Sequence, residues 1–103
     1  MVAPARPDQG IEIGLKSLRL MLDDLPEVAR DWPQMSDAER ASWSLDWDQV
    51  IGGDVRLLER QRRSDQMTPD QQARYRDLLC KLKEALPIIE RLGLYRPPVQ
   101  LED

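Results

Sequence analysis

The side chains that could move a proton or hold a metal are few. The sequence contains no histidine, so the group best suited to proton transfer near neutral pH is missing, and with it the Ser-His and Cys-His nucleophile pairs. Cys80 is the single cysteine. It can form no internal disulfide, has no second thiol to resolve an oxidised form, and reads as a tolerated surface residue. A zinc site would have that one sulfur and only carboxylates. Asp46 and Asp48 are spaced like the first ligands of a calcium loop, but Ile51 and Leu57 then stand where the loop needs glycine and glutamate. The glycines (Gly10, Gly14, Gly52, Gly53 and Gly93) form no phosphate-cradling motif. What remains is carboxylate chemistry: an enzyme using Asp23, Asp24, Asp46, Asp48 or Asp54 around a divalent ion, held as a second alternative. The sequence implies no cofactor and no resident metal.

Two other sets of residues suggest binding. Trp32, Trp43 and Trp47 are all the tryptophans, and the chain has no phenylalanine. Trp43 and Trp47 lie one turn apart and share a helix face. They read first as the bulky end of a core, and second as a protein-binding hot spot in which Asp46 and Asp48 make a polar rim. The second set is basic: Arg56, Arg60 and Arg63 on one helix, Arg74 and Arg76 on the next. Together they would offer phosphate contacts to a nucleic acid. The interspersed Glu59, Asp65, Asp70, Asp77 and Glu84 oppose that reading, as does the overall charge of −4. Charge is unevenly spread. Asp23–Asp54 holds nine acids against two bases, and Val55–Arg96 ten bases against six acids. Such asymmetry steers charged partners or favours association of unlike ends.

These residues need a scaffold, and 103 residues with 41% apolar content allow one small domain. No stretch approaches a membrane span and the N-terminus lacks the apolar core of a signal peptide, so the expected location is the cytoplasm. Arginine outnumbers lysine twelve to three, a bacterial-like composition that the base composition of a genome also produces. Residues 1–9, with Pro4 and Pro7, read as a flexible arm, residues 10–96 as the domain, and 97–103 as a tail. Ile11, Leu15, Leu18, Leu22 and Leu25 recur at helical spacing. Pro26 then predicts either a kinked continuation or a new short helix. Ser36 with Glu39, and Thr68-Pro69 with Gln71, are capping-box signatures that open two more helices. The first would run to about Arg63, continuous through Gly52-Gly53 but with a weak point there that allows another helix close or a break, with Trp43, Trp47, Val50, Ile51, Leu57 and Leu58 inward and Asp54 on or beside that face. The second would run to about Leu92, kinked by Pro87 and stopped by Gly93. Leu94, Tyr95 and Val99 give the tail apolar surface to fold back.

The expected fold is all-α: a small bundle of three long helices and one short one in up-down packing. Apolar residues on several sides of the first helix predict a homodimer. The expected function is a non-catalytic protein-protein interaction or regulatory module working through the acidic, tryptophan-bearing middle. A nucleic-acid-associated protein is the first alternative.

Overall fold

The computed structural model describes residues 7–98, and within them every regular element is helical. The chain forms α1 (Pro7–Asp31), a 3-10 turn (Trp32–Gln34), α2 (Asp37–Gln49), a π turn (Val50–Asp54), α3 (Val55–Arg63), α4 (Pro69–Glu84) and α5 (Leu86–Leu92). The leucine/isoleucine stripe of α1 is buried from Ile11 to Leu25. Pro26 sits within the helix, which continues to Asp31. The separate short helix that Pro26 could have opened does not form: its residues stay in α1, and only a 3-10 turn, Trp32–Gln34, follows before α2. Pro7–Gln9, assigned from sequence to the arm, are already helical. The rest of the arm, residues 1–6, and positions 99–103 with Val99 lie outside the described residues.

Both capping boxes form. Ser36 Oγ accepts from the Glu39 N–H at 3.1 Å, while Glu39 accepts from the Ser36 N–H at 2.9 Å. Thr68 and Gln71 exchange the same two bonds at the start of α4. Arg40 ties α2 back to the 3-10 turn, donating to the carbonyls of Trp32 (2.9 Å) and Pro33 (3.2 Å). The expected last helix is two: Ala85 ends α4, and Pro87 falls in the first turn of α5, where its missing N–H costs nothing. Gly93 then turns left-handed, which lets the Leu94 N–H reach the Ile89 carbonyl at 2.9 Å.

α2, the π turn and α3 form one continuous path, as expected, but its inner face differs from a plain helical reading. A regular α-helix that keeps Trp47 and Ile51 inward carries Asp54 inward as well. The π turn adds one residue to that turn, so Val55 takes the inner place. Asp54 is left half-buried, and that burial raises its carboxyl pKa. Leu57, expected inside, is 43% exposed for the same reason of phase.

α1 packs on α3, on the π turn and on α4. It comes close to α3 at Gly14, where a Cβ would lie 3.1 Å from Leu58 Cδ2. The tail closes the other end. Leu94 is buried, the Tyr95 carbonyl accepts from Trp47 Nε1–H at 2.8 Å, and the Tyr95 ring lies over Gly52.

Candidate protein-interaction surface

α2 buries one side chain fully. Trp47 is its only buried residue, with 0% exposure and its indole N–H spent on Tyr95. Trp43 stacks on it, ring centroids 5.5 Å apart, and is half-buried. Leu45 lies two residues from each tryptophan, which at 3.6 residues per turn puts it nearly opposite both. It is 59% exposed. Ala38, Ala41 and Ser42 share its side of the helix, and Asp46 and Asp48 flank it. Neither aspartate has a cation within ion-pair distance among the described residues.

The hot spot proposed from sequence is thereby taken apart. Trp47 has no surface to give a partner and belongs to the core. Trp43 keeps a partial edge. Asp46 and Asp48 rim the opposite face, whose centre is Leu45. The sequence carried a signal for this: Leu45 is apolar but falls off the inward stripe.

A groove runs between α1 and α4, about 510 Å³ in volume. Ile13, Leu15 and Leu78 line it with Lys16, Arg19, Asp77 and Lys81, and the Glu12–Arg74 pair lies at one end. Ile13 is 66% exposed. Glu12 accepts two bonds from the Arg74 guanidinium (2.9 and 2.5 Å) and one from Gln71 (2.9 Å). Arg74 first and Gln71 second hold the Glu12 carboxyl down at about 2. Glu12 and Arg74 thus cancel. Lys16, Arg19 and Lys81 against Asp77 leave the groove with a net of two positive charges.

The arginines of the nucleic-acid alternative do not make one free strip. Arg56 donates to the Tyr95 hydroxyl (3.1 Å), Arg63 pairs with Glu59 (3.4 Å), and Arg74 is shared between Glu12 and Asp70. Arg60 and Arg76 remain exposed without a carboxylate partner among the described residues. Arg76 and Arg62 edge a smaller pocket over Tyr75. There the buried Tyr75 hydroxyl donates to Glu59 at 2.8 Å, and Glu59 also takes the Arg62 guanidinium. Arg62 is the first cause of the lowered Glu59 pKa, and burial is the first cause of the raised Tyr75 pKa.

The carboxylates of the enzyme alternative are dispersed. Asp23, Asp24, Asp46 and Asp48 are exposed on α1 and α2, and Asp54 sits in the π turn. No group of three or more potential ligands among the described residues could hold a metal ion. Cys80 is exposed. No helix among them is long and apolar enough to cross a membrane. Compared with protein-family models, curated proteins and solved structures, the chain matches none.

Proposed function

We propose that this chain is a non-catalytic protein-interaction module whose working surface is the outer face of α2. The observation that carries the reading is the exposure of Leu45 on a helix anchored by a single buried tryptophan. The core does not need that face. Its one large apolar side chain lies between two aspartates without a cation partner among the described residues, an apolar centre with a polar rim. Trp47 fixes the face in place, so little conformational entropy is lost on docking. Self-association fits the same reading, because Ile13, Leu20 and Leu57 are also exposed apolar residues.

The test is a photo-crosslinking side chain at position 45, expressed in the cells that make the protein, with the exposed position 73 of α4 as control. Adducts to a polypeptide are expected from 45, absent from 73, and lost when Asp46 and Asp48 become lysine. No adduct from 45, or equal adducts from 73, would refute the reading.

A further inference from the structure

The groove between α1 and α4 is the complement of the outer face of α2, and we infer that a second copy of this chain supplies the occupant: α2 of one molecule docks in the groove of another. The inference rests on the reading of α2 as the working surface and names its partner.

The match is one of shape and charge. The groove has an apolar floor (Ile13, Leu15, Leu78) between cations (Lys16, Arg19, Lys81), which outnumber the one carboxylate beside them, Asp77, that Arg74 does not neutralise. The helix has an apolar centre, Leu45, with Ala38 and Ala41 along the same stripe, between carboxylates (Asp46, Asp48). Small residues beside Leu45 let the helix backbone come close, and Leu45 then enters as the single large side chain. A cavity of about 510 Å³, walled in part by Lys16 and Lys81, accommodates it. The cations have no carboxylate partner within their own molecule among the described residues, and neither do Asp46 and Asp48. Docking pairs both sets at once. The contact joins unlike faces, so it either closes as a reciprocal two-fold dimer or extends from copy to copy.

Two variants separate this contact from every other mode of association. Lys16→Glu with Lys81→Glu spoils the groove and leaves α2 intact. Leu45→Lys with Asp48→Lys spoils the helix and leaves the groove intact. All four positions are exposed, and unchanged helicity by circular dichroism verifies the fold. Sedimentation equilibrium then reads the mass. Wild type is expected to exceed 12.0 kDa as concentration rises, less so at high salt. Each variant alone is expected to weaken association by about tenfold or more in Kd. An equimolar mixture is expected to recover a dimer, because the intact groove of one meets the intact helix of the other. A wild type that stays at 12.0 kDa overturns the inference, as do variants that still associate, or a mixture that stays monomeric. If wild type is monomeric while position 45 crosslinks to a different polypeptide, the inference fails and the proposed function stands. If position 45 captures nothing, both fall.

Discussion

Gly14 offers a test in which two known effects oppose each other and the structure decides the sign. Glycine inside a helix costs about 1 kcal/mol relative to alanine, and Gly14 is well within α1. Propensity alone therefore makes Gly14→Ala stabilising. The added Cβ would stand 3.1, 3.2 and 3.4 Å from Leu58 Cδ2, Cγ and Cδ1. These contacts involve the branch point of the side chain as well as its tips, and Leu58 is 1% exposed, so it cannot yield towards solvent. Overpacking of this kind costs about 1–3 kcal/mol. The expected net effect is a loss of about 1 kcal/mol, or about 4–8 °C in Tm for a domain of this size. Urea unfolding followed by tryptophan fluorescence and circular dichroism measures it. In a Leu58→Ala background the obstacle is gone, and the same substitution should gain about 1 kcal/mol. The double-mutant cycle should then return a coupling of about 2 kcal/mol. A Gly14→Ala protein as stable as wild type with Leu58 in place would refute the close-approach argument.

Three further outcomes are expected. Glu12 has a carboxyl pKa of about 2 against an ordinary 4.5, so its pairing with Arg74 stabilises the fold fully above about 4.5 and is lost as pH falls towards 2. The stability gap between wild type and Glu12→Gln should therefore narrow across that interval, and a constant gap would show that the pairing contributes nothing. Gln61 is 8% exposed and its Oε1 accepts no hydrogen bond, so Gln61→Leu should raise the unfolding free energy by about 1 kcal/mol, whereas a loss in urea titration would mean the amide is satisfied. Trp47→Phe removes the donor to the Tyr95 carbonyl and leaves a void, a cost of about 2–4 kcal/mol. A near-neutral result would show that the tail does not depend on Trp47.

The parts of this molecule readable from sequence are those fixed within a few residues. The capping boxes at Ser36 and Thr68, the α1 stripe and the stop at Gly93 depend on neighbours three or four positions away, and each forms. What could not be read depends on residues far apart in the chain. Glu12 meets Arg74 across 62 positions, and that pairing ends the groove. Gly14 is recognisable as a crossing point only once Leu58 is known to face it. The tryptophans were legible as a bulky pair, but their assignment to core or surface turned on the Tyr95 carbonyl, 48 positions from Trp47. That Leu45 faces solvent between Asp46 and Asp48 was not legible, because helical spacing shows which residues share a face but not which face the fold covers.

The π turn falls on Gly52-Gly53, a weak point legible in the sequence although its form was not, and its logic can be tested by removing it. A π turn in an otherwise α-helical path is equivalent to one inserted residue. Trp47, Ile51 and Val55 all have 0% exposure, a spacing of four and four that a regular helix does not hold on one line. Deleting Gly53 moves Val55 into the place a regular α-helix gives to the inner face, so Trp47, Ile51 and Val55 stay inward without the insertion. Gly53 is exposed, and a Cβ there would meet nothing within 4 Å, so no packing is lost with it. One helical glycine is also removed, worth about 1 kcal/mol. The deletion should leave the unfolding free energy unchanged or raise it by up to about 1 kcal/mol. Deleting Arg60, also exposed, should instead rotate the end of α3 out of register with α1 and unfold the domain. If loss of Gly53 proves as damaging as loss of Arg60, the extra residue does more than set phase. The closure of the Tyr95 ring over Gly52 would then be the feature that requires it.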